Sequence, residues 1–148
     1  MNNNDRKLEK SRKISNWFIS KEVIAHDWIE SDEKQKNRHL KQGQVYNCEL
    51  GENIGYEISK NRPVLVVSDT CYSQQGQVVI IPLTKNVRPM RTHYVLKSHK
   101  YSFLTFDSTV KSEQIRSVSS GRLNSLLGTI TDEDMSLVKL RIKTIFNI

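Results

Sequence analysis

Apolar residues recur at different spacings along the chain, and each spacing predicts a different kind of element. Over residues 7–30 they recur every three to four positions, which is typical of an amphipathic helix. We expect this helix to run from about Lys7 to Glu30, with a break near Ser15 or Ser20, and a second charged turn to follow over residues 32–41. Its apolar stripe comprises Ile14, Trp17, Phe18, Ala25 and Trp28.

From Gly43 onward the pattern changes to short apolar runs and alternation, which are typical of strands. Strands are expected at residues 44–50, 63–68, 77–84 and 93–97, and one or two more, with a kink, within residues 108–119. The stretch SGRLNSLLGTIT, residues 120–131, is interpreted as a short helix or turn.

The end of the chain has the signature of a capped helix. Thr131, with Asp134 three residues later, marks its start. Its buried stripe is expected to comprise Met135, Val138, Ile142, Ile145 and Phe146. The pattern as a whole predicts an α+β chain, mainly β, with a small strongly bent sheet or SH3-like barrel.

A change of composition near residue 42 suggests how the chain is organised. Residues 1–42 contain neither glycine nor proline and are dominated by charged side chains. We therefore expect a charged helical extension over residues 1–42 and a compact domain over residues 43–148.

The sequence GENIGYEISKN, residues 51–61, is long for a hairpin loop, and long loops within compact domains are often functional. It is followed by Arg62 at the mouth of the apolar strand Val64–Val67, with Glu57 five residues earlier. Two interpretations are open: a surface loop entering a core strand, or a loop that holds a site for an anion.

Charge and cysteine content narrow the class of function. Lys and Arg number 23 and Asp and Glu 16, which gives a net charge of +7. A basic balance suits a polyanionic partner, although solubility alone explains it equally well. Cys48 and Cys71 form neither a disulfide framework nor a zinc motif, and no apolar stretch is long enough for a membrane span. We expect a soluble cytoplasmic protein without a metal or other cofactor.

Three segments, in order, resemble motifs of the MazF/PemK toxins of bacterial toxin–antitoxin modules: GENIGYE…NRPVLVV, VVIIPLT and SEQIRSVS. They are similar to that family's G-x-E…R-P-[AV]-[LV]-V loop and strand, its P-x-T strand end and its D/E-Q-x-[RK]-[ST] strand. The resemblance covers about residues 43–146. It implies a bent β-sheet of the MazF/PemK/CcdB type, a homodimer, and metal-independent, sequence-specific cleavage of single-stranded RNA that a cognate antitoxin holds in check.

The resemblance assigns catalytic roles to Arg62, Thr84 and Glu57. Cleavage by the 2′-hydroxyl requires removal of its proton and stabilisation of a phosphorane. Arg62 keeps its charge at neutral pH and offers a rigid fork of donors to the phosphorane oxygens. Thr84 ends a buried strand and would point its hydroxyl at the same phosphate. Glu57 is a candidate general base, but the loop has Tyr56 and Ile58 where GSEQ is commoner, so the hydrogen bonding around Glu57 is not carried over.

The same comparison suggests residues that contact RNA. Tyr56 would stack on a base or simply cover the sheet, and Gln114 would be structural or base-reading. The basic loop after Thr84, with Arg88, Arg91 and His93, either binds phosphate or is simply a solvated loop. His93 is also a candidate acid or base, because imidazole titrates near neutral pH. Lys111 and Glu113, two apart on one strand, form an acid–base pair or an ordinary ion pair. Gln114 and Arg116 then occupy the opposite face, unless a bulge intervenes. The predicted RNA-binding residues are Tyr56, Arg88, Arg91, His93, Lys111, Glu113 and Gln114.

Two other functions use the same features. A toxin of similar fold that binds a protein such as gyrase needs no nuclease chemistry, and a regulatory RNA-binding module needs only the basic balance. The joint presence of Arg62, Thr84 and Glu57 favours the endoribonuclease.

Overall fold

Seven short strands pair into one antiparallel sheet in the computed structural model, which describes all residues from 1 to 148. The strands are β1 Gln44–Glu49, β2 Asn61–Val66, β3 Gln77–Thr84, β4 His93–Leu96, β5 Ser108–Lys111, β6 Arg116–Ser119 and β7 Leu123–Thr129. Their order is β4-β5-β3-β2-β1-β7, and β6 pairs with β3. Along one edge, β3 pairs first with β6 and then with β5, so the sheet bends at this strand.

Alternating residues of the central strands fill two hydrophobic cores on opposite faces of the sheet. Leu65 and Ile81 belong to the first core, together with Met135 and Val138 from the C-terminal helix. The second core contains Tyr46, Cys48, Leu50, Val64, Val66, Val78, Ile80, Val118 and Leu123, with Leu40 from the segment before β1. Burial on both faces explains why β2 and β3 are continuous apolar runs.

The C-terminal helix α3, Asp132–Phe146, begins at the predicted cap, because the Thr131 side chain accepts a hydrogen bond from the Asp134 backbone N–H. Met135 and Val138 are buried as predicted. The predicted stripe is wrong at its end: Ile145 is 38% exposed and Phe146 53% exposed. The last turn of α3 therefore extends beyond the sheet that covers its first turns.

Residues 120–131 are mostly a strand, and the predicted short helix or turn is present only over the first three of them. Ser120–Arg122 form one turn of 3-10 helix, and β7 follows and pairs with β1. The β1–β7 register shifts twice, which interrupts the two-residue period of a regular strand. Leu123 lies in the second core and Leu127 packs against the first, while Leu126 is 51% exposed. The kink predicted within residues 108–119 is present, since the 3-10 helix Ser112–Gln114 separates β5 from β6.

The N-terminal helix α1 is continuous over Asn3–Glu30, without the predicted break, and a short helix α2, Glu33–Lys36, follows it. Only part of the predicted stripe faces the sheet domain. Trp17 and Trp28 pack against it, whereas Ile14 is 48% exposed and Phe18 64% exposed. No helix of the chain has both the length and the apolar character needed to cross a membrane. The predicted class, a bent β-sheet with a C-terminal helix and an N-terminal helical extension, is confirmed.

Candidate active site

The sheet face that carries the second core also bears polar side chains, which lie at one end of the sheet. On β2, Val64 faces this core, and alternation places Arg62 on the same face. On β3, Ile80 faces the core and Thr84 has the same parity. Val64 pairs with Pro82, and continuing this register by two residues sets Arg62 opposite Thr84. The two side chains predicted to act together therefore lie on neighbouring strands and on one face.

Arg62 is held in a way that leaves most of its donors available. Its Nε donates to the Ser59 carbonyl at 2.7 Å, which orients the guanidinium, while its terminal amino groups make no hydrogen bond within the chain. Thr84 is only 6% exposed, and its Oγ1 accepts a hydrogen bond from the Asn86 backbone N–H at 3.3 Å. The arginine can thus present a fork of donors to an anion, whereas the threonine is buried in the adjacent strand.

A cavity of about 260 Å³ opens on this side of the sheet. It brings together two carboxylates, Glu57 and Glu113, with the guanidinium of Arg116. Its lining comprises Asn53, Glu57, Ile58, Pro82, Glu113, Gln114, Ile115 and Arg116. Proton acceptors and a cation in one opening are the groups that acid–base chemistry on a phosphodiester requires.

The third motif does not form one strand, so the predicted division of its faces, which required an uninterrupted strand, does not apply. β5 ends at Lys111, and the 3-10 helix Ser112–Gln114 turns the chain before β6 begins at Arg116. Because of this turn, Glu113, Gln114 and Arg116 all line the cavity. Lys111, the last residue of β5, is not among the residues that line the cavity.

The loop between β1 and β2 is folded by hydrogen bonds of its own. The Asn53 side-chain amide donates to the carbonyls of Leu50 and Ile58, and its backbone N–H donates to Ser59 Oγ. Gln114 ties this loop to the opposite wall: its Oε1 accepts from the Ile58 N–H at 3.2 Å, and its Nε2 donates to the Tyr56 carbonyl at 3.1 Å. Gln114 therefore has a structural role, one of the two uses expected from the sequence.

His93 lies behind the cavity wall and makes polar contacts with both ring nitrogens. Nδ1 bonds to the Arg88 carbonyl at 2.8 Å, and Nε2 bonds to Glu113 Oε1 at 2.5 Å. Both partners are hydrogen-bond acceptors, so the two bonds fix the orientation of the ring. The other carboxylate oxygen, Glu113 Oε2, accepts from Thr92 Oγ1 at 3.2 Å. Burial raises the pKa of Glu113, but the hydrogen bonds from His93, from its own backbone and from Thr92 outweigh burial and leave that pKa below its usual value.

The remaining predicted site residues occupy different positions around this cavity. Tyr56 is 99% exposed at the tip of the loop, and Glu57 is exposed and lines the cavity. Arg88 is exposed in the β3–β4 loop that His93 holds. Arg91 faces elsewhere, lining a separate cavity with the last turns of α3. The structure thus gathers Glu57, Glu113 and Gln114, with Arg62 and Thr84 on the adjoining sheet face, and leaves Arg91 and Lys111 apart.

Two residues of the site are absent from the predicted set. Arg116 lies in the third motif, and only the 3-10 turn, which breaks the strand alternation, brings it to the cavity. Asn53 organises the loop through its side chain, and its signal in the sequence is the placement of an asparagine, a turn former, two residues after Gly51.

Fold and site together define a small bent-sheet protein with an arginine-bearing, carboxylate-lined cleft suited to a phosphodiester. The profile of the family described as PemK-like, MazF-like toxin of type II toxin–antitoxin system matches residues 41–146. The chain belongs to this family, as its three motifs predict.

Two curated relatives and one solved structure illustrate the similarity. Endoribonuclease MazF9 of Mycobacterium tuberculosis is 25% identical over 103 residues, covering 66% of this chain and 87% of that protein. Endoribonuclease EndoA of Bacillus subtilis is 29% identical over 102 residues, covering 67% and 87% respectively. An endoribonuclease from Mycobacterial species, solved with its cognate antitoxin, superposes with a TM-score of 0.58 at 22% identity, covering 74% of this chain and 96% of that one. At that identity the superposition shows the fold, and the fold prediction is confirmed.

Proposed function

We propose that this protein is an endoribonuclease toxin that cleaves single-stranded RNA at specific short sequences, without a metal ion, and is neutralised by a cognate antitoxin. The activity class agrees with its family and with the curated relatives, which are named endoribonucleases. The observation that carries the proposal is the Arg62 guanidinium, fixed through Nε with its terminal amino groups free, on the sheet face that leads to the Glu57 cavity.

In the proposed reaction, the 2′-hydroxyl attacks the adjacent phosphorus and the P–O5′ bond breaks. The products are a 2′,3′-cyclic phosphate and a 5′-hydroxyl. Arg62 and Arg116 stabilise the negative charge of the phosphorane, because preorganised cationic donors act most strongly where charge develops. Thr84 completes the wall that positions the phosphate.

Glu57 takes the proton of the 2′-hydroxyl in this proposal. It lines the cavity and its carboxylate has no bonded partner in the chain, whereas both oxygens of Glu113 are bonded. The lowered pKa of Glu113 also makes it a weaker base than an ordinary glutamate. The leaving 5′-oxygen takes its proton from solvent, because His93 is buried and both of its ring nitrogens are bonded within the chain.

The RNA chain is proposed to run between the β1–β2 loop and the β3–β4 loop. Tyr56 stands fully exposed on the first loop, where its ring can stack on an unpaired base, and Arg88 lies exposed on the second, where it can contact phosphate. Gln114 fixes the first loop rather than contacting bases. Base preference would follow from the shapes of these loops.

The remaining proposals concern partners and organisation. A cognate antitoxin as inhibitor is supported by the antitoxin complex of the Mycobacterial relative. A homodimer follows from the family resemblance, and cleavage of messenger RNA would place the protein in the cytoplasm. We also propose that residues 1–42 form an extension to a toxin domain of residues 43–148, in accord with a family match that begins at residue 41.

The activity is tested by incubating the purified protein with end-labelled single-stranded RNA in the presence of EDTA. We expect cleavage at defined short sequences, with 2′,3′-cyclic phosphate and 5′-hydroxyl ends. The double variant Arg62→Ala/Glu57→Gln, purified in parallel, identifies any contaminating nuclease. Loss of cleavage in EDTA, or 3′-hydroxyl ends, would overturn the proposed chemistry.

Two outcomes would point to the other functions. Tight RNA binding without cleavage would indicate a regulatory module. Absence of both binding and cleavage, with growth arrest on expression, would indicate a toxin that binds a protein target. Light scattering of the same preparation, alone and with its co-expressed antitoxin, measures the proposed dimer and complex.

A further inference from the structure

The N-terminal helix contacts the loop that carries Glu57, although α1 lies outside the region matched by the family. Trp17 lies directly against Gly51: a Cβ placed on this glycine would be 2.4 Å from Trp17 Cε2. Gly51 also has a left-handed backbone, with φ of +81°, which favours glycine at this point. Two helical turns before Trp17, Lys10 Nζ donates to Glu52 Oε2 at 2.9 Å, and the Glu52 side chain is only 13% exposed.

A continuous set of contacts leads from these two residues of the loop to the arginine of the site. Glu52 is followed by Asn53, whose side chain donates to the Ile58 carbonyl and whose N–H donates to Ser59 Oγ. The Ser59 carbonyl then accepts from Arg62 Nε at 2.7 Å. The position of the guanidinium therefore depends on a loop whose first residues are held by α1.

We propose that α1 is a brace for the catalytic loop and that Trp17 and Lys10 are positioning residues for RNA cleavage. This inference rests on the proposed function, because loss of the contacts between α1 and the loop lowers the cleavage rate only if Arg62 and Glu57 are catalytic. The brace fixes the loop that sets both groups, and a small displacement of a catalytic group lowers the rate strongly.

The other half of α1 supplies a matched control. Trp28 lies three helical turns after Trp17 and also packs closely on the sheet domain, against Gly76 and Gly121. Neither glycine belongs to the β1–β2 loop. Truncating Trp28 removes the same type of side chain from α1 without touching the contacts between α1 and the β1–β2 loop.

The first experiment compares Trp17→Ala with Trp28→Ala in the full-length protein. We expect Trp17→Ala to lower the single-turnover cleavage rate by about 10- to 100-fold, and Trp28→Ala to change it by less than about threefold. Amide hydrogen exchange at Ile58 and Lys60 should accelerate about tenfold in Trp17→Ala alone. Equal effects of the two substitutions on rate and exchange would overturn the brace.

A charge exchange tests the polar contact without removing a core side chain. Lys10→Glu and Glu52→Lys should each lower the rate by roughly three- to tenfold, and the double variant should recover to within about twofold of wild type. Lys7→Glu changes the net charge equally at an exposed position of the same helix, so it separates this effect from weaker attraction of RNA. Failure of the double variant to recover would contradict a positioning role for Lys10.

The exchange measurement separates this inference from the proposed function. Wild-type protein that does not cleave RNA, but shows faster loop exchange in Trp17→Ala than in Trp28→Ala, retains the brace and loses the nuclease. Wild-type protein that cleaves RNA with identical loop exchange in both variants retains the nuclease and loses the brace.

Discussion

Glu57 and Glu113 line one cavity and are chemically identical, yet their surroundings make them different groups. Glu57 is exposed and has no bonded partner, so its lone pairs are available to a proton. Glu113 accepts from His93 with one oxygen and from Thr92 with the other, and its pKa is lowered. Asp134, outside the cavity, accepts still more hydrogen bonds: it is buried and accepts from Tyr94, Tyr101 and Lys100. The three carboxylates thus form a series of increasing hydrogen bonding.

The comparison teaches that hydrogen bonds to a carboxylate stabilise the fold at the expense of basicity. A carboxylate with satisfied lone pairs is a weaker base and a stronger anchor. We therefore expect substitution of Glu57 to lower mainly the reaction rate and substitution of Asp134 to lower mainly the stability of the fold. Glu113 should be intermediate.

The largest effect is expected for Glu57→Gln, which keeps the shape of the side chain and removes its basicity. General base catalysis contributes about 10²–10⁴-fold, so the single-turnover rate should fall by that factor, with the melting temperature unchanged. Rapid-quench cleavage assays and thermal unfolding measure the two quantities. A rate within tenfold of wild type would assign the base to another group.

Asp134→Ala should produce the opposite result, a large loss of stability. It leaves the Tyr94 hydroxyl unpaired and leaves Tyr101 with only its bonds to Thr131, near the first core, at a cost of about 3 kcal/mol in the free energy of unfolding. Denaturant titration checks this value. Asp134→Asn is the matched variant, since it retains an acceptor and should recover part of the loss.

The pH dependence of that loss follows from the sign of the pKa shift. Burial raises the pKa of Asp134, but hydrogen bonds from Tyr101, Tyr94 and Lys100 outweigh burial and leave it lowered. A lowered carboxyl pKa contributes stability above the unfolded-state value and loses it as pH falls through the folded-state value. The difference between wild type and Asp134→Ala should therefore be constant at neutral pH and shrink below about pH 4. A difference that persists unchanged at pH 2 would contradict the ionic account.

Glu113→Gln should be intermediate. The change weakens the bond to the buried His93, and we expect a loss of about 1–2 kcal/mol in stability with a rate reduction of less than about tenfold. The same two assays apply. A rate reduction as large as that of Glu57→Gln would exchange the roles of the two carboxylates.

The smallest expected effect concerns the backbone of the loop that holds Glu57. Lys60 has a φ of 75°, while its N–H donates to the Gly51 carbonyl at 2.7 Å. A left-handed conformation costs a side-chain-bearing residue about 1 kcal/mol, so Lys60→Gly should raise the unfolding free energy by up to that amount. Lys41→Gly, at an exposed lysine before β1, should give no such gain.

Much of the fold could be predicted because its signals are local. The apolar runs of β2 and β3, the Thr131 cap and the long charged helix each follow from neighbouring residues. β7 could not, because its pairing with β1 shifts register twice and the two-residue period of a regular strand is lost. The exposure of Ile14 and Phe18 also depends on which face of α1 the sheet domain covers.

The site could be predicted to a similar extent. The motifs supplied Arg62, Thr84, Glu57 and Gln114, but the 3-10 turn that separates Lys111 from Glu113 has no strong local signal. Glu113 differs from Glu57 because it bonds to Thr92 and His93. These residues lie about twenty positions away in sequence and meet Glu113 only in the folded chain. Tertiary contacts of this kind decide which of two identical side chains is free.

The central claim is that Arg62 stabilises the transition state of RNA cleavage, and single-turnover kinetics of Arg62→Ala test it most directly. The claim predicts a rate about 10²–10³ below wild type, with the dissociation constant for RNA changed far less. Arg12→Ala, at an exposed position of α1, should leave the rate unchanged. An Arg62→Ala protein that cleaves RNA as fast as wild type would contradict the claim.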